Sequence, residues 1–208
     1  MNNKPVSYII KSIAIGYILI YVHLNIGNLD ILPDFLGYLI IVRALPRLAQ
    51  REKSAMLIKA PGIALAVWNI IESVIKLSGV DFNLYVINII VSILGIYFNF
   101  QLITDISEFA TDEKRKKRLL TLRSGVVIFH TLTVILALIP DIRTAALITG
   151  IAQLIMLAWI CIELFRLAAD INGEDQEATN QETAKQEATE YILREPDKAQ
   201  APESTDNR

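Results

Sequence analysis

Four polar residues interrupt one apolar stretch of the chain, at a spacing that a helix would place on one face. They are Asn69, Glu72, Ser73 and Lys76, at positions i, i+3, i+4 and i+7. Ionisable groups are costly inside a membrane, so they mark candidate functional sites. Glu72 could bind a cation or carry a proton, or it could pair with Lys76 one turn later, near the outer interface. We favour the structural pair, and a functional role for Glu72 stays open.

A second polar stripe lies in the next apolar stretch. Its members are Asn88, Ser92, Gly95 and Asn99, at i, i+4, i+7 and i+11. Small residues such as Ser92 and Gly95 let a neighbouring helix approach closely, so the pattern indicates helix packing more than a pore wall. The two asparagines remain candidates for a polar path through the membrane, together with His130 farther along the chain.

Enzyme chemistry has little support in the sequence. His23 and His130 each lack a second ligand at metal-binding spacing. The chain contains no His-Glu-x-x-His motif, no Gly-x-Ser-x-Gly elbow and no Walker-type loop. The single Cys161 lies in an apolar run and has no second cysteine to pair with. We therefore expect a protein that is not an enzyme, uses no cofactor and holds no metal.

The elements that position these residues follow from composition. Hydrophobic residues make up 53% of the chain and its mean hydropathy is +0.41. Long apolar runs are typical of transmembrane helices, whereas soluble helices keep a polar face. We predict an all-α polytopic membrane bundle of about six helices, arranged as three hairpins. The predicted spans are Val6–Ile26, Ile31–Leu48, Met56–Leu77, Phe82–Ile103, Ser124–Ile139 and Thr144–Leu167.

A short acidic link joins the two helices of each predicted hairpin. In the first link Pro33 suits the first turn of a helix, and a neighbouring aspartate can accept unpaired N–H groups there. The arrangement returns twice, and the predicted turn residues are Pro33, Asp34, Asp81, Pro140 and Asp141. Arg43 and Pro46 interrupt the span Ile31–Leu48, which leaves a full crossing or a re-entrant segment open. We prefer the crossing, because Arg43 can reach the headgroups from its position near the span's end.

Basic residues predict the orientation of the spans. Every Lys and Arg close to the spans, except Lys76 and Arg143, falls on one side, including the run Lys114–Arg118. Positive residues accumulate on the cytoplasmic side of membrane proteins. Both termini are therefore predicted to be cytoplasmic, and Glu163 and Arg166, at i, i+3 in the last span, are predicted to pair at its cytoplasmic end.

The composition changes abruptly after Ala169. From Asp170 onward acidic residues dominate and apolar residues are scarce, so this segment has little to bury. We predict a transmembrane domain over residues 1–169 and a disordered cytoplasmic tail over 170–208. A repeated pattern of Gln, Glu, Ala and Thr at 176–190 has fair helix propensity, which favours a transient helix inside the tail.

The stretch Asn25–Ile40 reads Asn-Ile-Gly-Asn-Leu-Asp-Ile-Leu-Pro-Asp-Phe-Leu-Gly-Tyr-Leu-Ile. It resembles the opening hairpin of small, uncharacterised multi-pass membrane proteins of Gram-positive bacteria. The resemblance implies a protein of the bacterial inner membrane, that is, the plasma membrane. It carries over no catalytic or binding residue.

Two functions stay open. As a membrane interaction or accessory protein, the chain would pack its polar stripes against a second copy or a membrane-protein partner, and its basic loops against anionic lipid. As a small transporter or channel, it would line a polar path with Glu72, Asn88, Asn99 and His130. Either protein has the lipid bilayer as its main partner, and we expect no nucleic acid. We favour the interaction role.

Overall fold

Six α-helices make up nearly all of the structure. The computed structural model describes residues 5–21, 25–26, 29–30, 34–78, 85–139 and 143–194. The elements in chain order are α1 (Val6–Tyr21), β1 (Asn25–Ile26), β2 (Leu29–Asp30), α2 (Asp34–Leu48), a 3-10 helix (Lys53–Ile58), α3 (Lys59–Ser78), α4 (Tyr85–Ser107), α5 (Glu113–Ala137) and α6 (Arg143–Arg194). The predicted all-helical class is confirmed.

Among the described residues, four helical segments are long and apolar enough to cross a membrane. They are Lys53–Ile75, Tyr85–Ser107, Glu113–Leu136 and Leu147–Gly173. Their outer faces carry large apolar side chains that a water-soluble protein would bury, such as Val74 at 60% exposure and Leu147 at 66%. Surfaces of this kind are stable against lipid. The chain is a membrane protein, and the last four predicted spans fall on these four segments.

The first apolar helix is shorter than the predicted span. Helix α1 ends at Tyr21, and the expected continuation to Ile26 is wrong because β1 and β2 pair as antiparallel strands there. Asn25 lies opposite Asp30, and Ile26 lies opposite Leu29. The two residues between the strands are glycine and asparagine, a pair that two-residue hairpin loops favour. Strand pairing satisfies backbone groups that a longer helix would otherwise have bonded.

Helices α1 and α2 meet backbone to backbone. A Cβ added to Gly37 would lie 2.5 Å from the carbonyl oxygen of Gly16, and one added to Gly16 would lie 2.9 Å from that of Gly37. Both distances are shorter than real Cβ contacts, so each position requires glycine. Around this crossing Tyr17 and Ile41 are fully buried. The two helices therefore form a tightly packed pair.

Of the predicted turn residues, the structure describes only Asp34, which begins α2. The other four, Pro33, Asp81, Pro140 and Asp141, lie outside the described residues. Pro46 lies inside α2, whose last residue is Leu48. Pro46 lacks the N–H that would bond to the Val42 carbonyl one turn earlier, and α2 ends two residues after it.

Aromatic and apolar side chains fill the space between α2, α3 and α4. Gly62 of α3 faces Val42 and Phe98, where an added Cβ would meet the two side chains at 2.6 and 2.9 Å. The Phe98 ring also packs edge-on against Tyr38, with 5.6 Å between ring centroids. These contacts hold the N-terminal end of α3 against α2 and α4.

The chain divides into two units, Met1–Ala169 and Asp170–Arg208. In the second unit residues 170–194 belong to α6, so the predicted disorder is not confirmed there. The side chains described between residues 176 and 186 are exposed, and Thr183 Oγ1 donates to the Thr179 carbonyl at 2.9 Å. The fair helix propensity of the repeated pattern accounts for this helix. Residues 195–208 lie outside the described residues.

Candidate functional site

A cavity of about 260 Å³ lies between α4, α5 and α6. It brings together three of the polar residues singled out in the sequence, Asn88, Ser92 and His130, and adds Gln153 from α6. The remaining lining residues are Tyr85, Ile89, Thr133, Val134 and Leu138. Amide, hydroxyl and imidazole groups on apolar walls could bind a small polar solute by hydrogen bonds.

His130 is tied to α6 by Gln153. The Gln153 Nε2 atom lies 3.3 Å from His130 Nδ1. The two side chains are within hydrogen-bonding distance, and which of the two atoms donates depends on the histidine tautomer. His130 therefore lines the cavity and contacts α6 through the same imidazole ring.

Side chains join α5 and α6 at three levels along the two helices. Near the middle, His130 and Gln153 lie one turn from a hydroxyl pair, in which Thr133 Oγ1 donates to Thr149 Oγ1 at 3.1 Å. Toward the start of α5, Arg118 Nη1 donates to Glu163 Oε1 at 3.0 Å. Because residue numbers rise along one helix as they fall along the other, the helices are antiparallel. We call this row the α5–α6 polar seam, made of Arg118–Glu163, His130–Gln153 and Thr133–Thr149.

Asn99 lies apart from the cavity. Its Nδ2 donates to the Tyr21 hydroxyl and to the Gly95 carbonyl, both at 2.9 Å, and its side chain is buried. Asn99 thus links α4 to the end of α1. A Cβ on Gly95 would meet only His130 Cε1, at an ordinary 3.9 Å, so that position does not require glycine.

The polar residues of α3 bond mainly to their own helix. Asn69 Nδ2 donates to the Leu65 carbonyl at 2.8 Å, and Ser73 Oγ donates to the Asn69 carbonyl at 2.7 Å. Glu72 is half-buried, and the Lys76 side chain lies outside the described residues. The Glu72–Lys76 ion pair therefore stays a prediction. None of these residues lines the cavity beside His130.

A charged cluster that the sequence did not predict joins the 3-10 helix to the end of α4. Asp105 is 1% exposed, and its Oδ1 accepts from Ser54 Oγ at 2.5 Å and from Gln101 Nε2 at 2.7 Å. Ser54 Oγ also lies 2.8 Å from Glu52 Oε1. Hydrogen bonds to a buried carboxylate offset part of its desolvation cost. Asp105 thus holds the link before α3 against α4.

A second charged cluster centres on Glu163, which is fully buried. Arg118 and Arg166 both donate to its Oε1, at 3.0 and 3.1 Å. The pairing of Glu163 with Arg166, expected at i, i+3, is confirmed, and Arg118 is the partner that sequence reasoning missed. Nearby, the Arg123 guanidinium lies 4.2 Å above the Phe100 ring centroid and donates to Thr104 Oγ1 at 2.9 Å.

Over the residues that the structure describes, no three His, Cys, Asp or Glu side chains come together as metal ligands would. The described side chains can form hydrogen bonds with a solute in the cavity, and they form ion pairs around Glu163. Comparisons of the chain with protein-family models, curated proteins and solved structures find no match.

Proposed function

We propose that this protein is a multi-pass protein of the bacterial inner membrane with a non-enzymatic interaction or accessory role. The observation that carries the proposal is the way its polar side chains are used. Asn99 bonds to α1, Thr133 bonds to α6, and Asn69 and Ser73 bond to their own helix. Polar groups satisfied in this way stabilise helix packing and leave little to line a path.

The proposed arrangement has six crossings, with both termini in the cytoplasm. Two side-chain contacts support it, because Arg123–Thr104 and Arg118–Glu163 bring the end of α4, the start of α5 and the middle of α6 to about one level. This is the level of the basic run Lys114–Arg118. Positive-inside bias then puts this end in the cytoplasm. The proposed tail beyond Ala169 is solvated, lacks a packed core and is dispensable for insertion.

Cysteine labelling tests the topology. In a Cys161→Ser background, Ser78→Cys should react with an impermeant maleimide on intact cells, and Lys117→Cys should react only after permeabilisation. Both positions are exposed and lie at opposite ends of the bundle. Asp34→Cys extends the test to the first hairpin, since labelling from outside supports a full crossing by α2 and protection favours the re-entrant alternative. Labelling of Lys117→Cys on intact cells contradicts the arrangement.

Photo-crosslinking tests the interaction role. Benzoylphenylalanine at Ile90, Ile128 or Ile155 places a reactive group on an exposed face of α4, α5 or α6. A partner or a second copy on one face gives a discrete adduct from one or two of these positions, with the remaining position as the matched control. Lipid adducts alone at all three positions contradict the proposal.

The cavity beside His130 favours a second candidate, a small transporter or channel. Its volume of about 260 Å³ suits a small solute, and Asn88, Ser92 and Gln153 offer hydrogen bonds. The test is ion or solute entry into sealed liposomes containing the purified protein. If the protein has only an interaction role, the ion or solute should enter these liposomes no faster than it enters protein-free liposomes. Entry that His130→Ala abolishes, while the protein stays folded, would establish the transport function instead.

A further inference from the structure

A groove of about 530 Å³ lies between α1 and α2, away from the cavity beside His130. All of its lining comes from the first part of α1 and the last part of α2, so it lies at one end of the hairpin. The lining residues are Tyr8, Ile9, Ser12, Ile15, Ile40, Arg43, Ala44 and Arg47. The groove thus combines aliphatic walls with two guanidinium groups.

The two arginines are spaced to act together. Arg43 and Arg47 are four residues apart on α2, so they lie on one face of the helix, and both are exposed. Within the described part of the chain, no carboxylate forms an ion pair with either of them, whereas Arg118 and Arg166 share Glu163. Two adjacent cations without an acidic neighbour favour an anion from outside the chain.

The walls of the groove restrict the kind of anion. Ile9, Ile15 and Ile40 offer an aliphatic surface along the helices, and Ile15 is 47% exposed. A free phosphate would gain nothing from such a surface, whereas an acyl chain would bury apolar area there. Arg43 and Arg47 belong to the last two turns of α2, where their side chains can reach headgroup level. An amphiphile with an anionic head and an apolar tail fits both features.

We propose that the groove between α1 and α2 binds one anionic phospholipid. Arg43 and Arg47 contact the headgroup phosphate, and an acyl chain lies along Ile9, Ile15 and Ile40. Guanidinium groups match phosphate oxygens in planar, bidentate geometry, which a lysine cannot reproduce. The lipid would fill the groove beside the glycine crossing of α1 and α2. The site is independent of whether the protein is an accessory protein or a transporter.

Native mass spectrometry of the purified, detergent-solubilised protein tests the site, with phosphatidylglycerol and phosphatidylcholine of the same acyl chains. The wild-type protein should retain one phosphatidylglycerol at least tenfold more strongly than phosphatidylcholine, because both lipids carry the phosphate but the choline cation of the second would lie beside the two arginines. The double variant Arg43→Gln/Arg47→Gln should lose that preference. The matched control Arg51→Gln/Lys53→Gln removes the same charge from exposed positions outside the groove and should keep it.

Two further measurements test whether the site recognises a lipid or free phosphate, and whether a loss of binding reflects a loss of the fold. Millimolar inorganic phosphate should not displace the bound lipid, and displacement would overturn the acyl-chain part of the proposal. Arg43→Lys/Arg47→Lys keeps the charge and should bind with intermediate strength, with an unfolding temperature that reports on the fold. Equal retention of both lipids by the wild-type protein, or an equal loss of preference in the Arg51/Lys53 control, would overturn the site.

Discussion

The α1–α2 pair and the α5–α6 pair join two helices in different ways. At Gly16 and Gly37 the two backbones touch. Along the α5–α6 polar seam, side chains bridge the two helices, and a cavity of about 260 Å³ lies beside the bridge. Inside lipid the hydrophobic effect does not drive helices together, so close packing and hydrogen bonding must do so. The α1–α2 pair therefore relies on close backbone packing, and the α5–α6 pair relies on hydrogen bonds and an ion pair between side chains.

The largest expected effect is on the charged end of the seam. Glu163 is fully buried, and Arg118 and Arg166 are 51% and 58% exposed. Arg118→Met/Arg166→Met should lower the free energy of unfolding by about 3 kcal/mol, the low end for an uncompensated buried charge, because both arginines already reach water. Adding Glu163→Gln should restore part of that loss. Unfolding in a mixed-detergent titration measures both variants against the wild-type protein, and a triple variant less stable than the double one would contradict the pairing.

Next in size is the glycine crossing. Gly37→Ala should lower the free energy of unfolding by about 2 kcal/mol, because its Cβ would lie 2.5 Å from a backbone oxygen and the helices must move apart. Gly150→Ala in α6 is the matched control, since nothing lies within 4 Å of the added Cβ. The same detergent titration should leave Gly150→Ala unchanged or more stable. Equal losses in the two variants would remove the case for backbone contact.

The predicted ion pair between Glu72 and Lys76 extends the comparison to an interaction within one helix, α3. Glu72→Gln and Lys76→Met should each cost about 1 kcal/mol, and the double variant should recover part of this. Thermal unfolding in detergent checks the pattern. If Glu72 instead carries protons or cations, its loss should abolish transport in liposomes whatever stands at position 76. Equal stability of all three variants would exclude the ion pair.

The smallest effect is expected at the middle of the seam. A double-mutant cycle of His130→Ala and Gln153→Ala should give a coupling energy of about 0.6 kcal/mol, the usual value for a hydrogen bond between membrane helices. Unfolding free energies of the four proteins supply the cycle. A coupling near zero would mean that the two side chains contact each other without stabilising the pair.

The sequence predicted the membrane-crossing segments best, because long apolar runs determine them without knowledge of their neighbours. The end of α1 was missed because residues 22–26 are mostly apolar and look like more helix, although Gly27-Asn28 is a hairpin signal. Pairing at i, i+3 predicted Glu163–Arg166, since both residues belong to one helix. Arg118 is 45 residues from Glu163, and a single sequence gives no distance between helices.

The sequence of α6 contains a spacing of polar residues that could have predicted its side of the α5–α6 polar seam. Thr149, Gln153 and Glu163 recur at i, i+4 and i+14, which places them on one helical face. The partner residues on α5 cannot be chosen in the same way, because the register between two antiparallel helices depends on packing. Gly16 and Gly37 were visible as glycines in apolar runs, but only the structure places one against the other.

The lengths of α1 and α2 also affect the bilayer around them. Their 16 and 15 residues rise about 24 and 22 Å, whereas α4 has 23 residues and rises about 34 Å. A hydrocarbon layer about 30 Å thick is thicker than α1 and α2 are long, and slightly thinner than α4 is long. In the proposed six-span arrangement, lipids bordering the first hairpin must compress, at a cost of fractions of a kcal/mol per Å of mismatch. The first hairpin should therefore favour short-chain lipids around it, which makes the protein sensitive to membrane thickness.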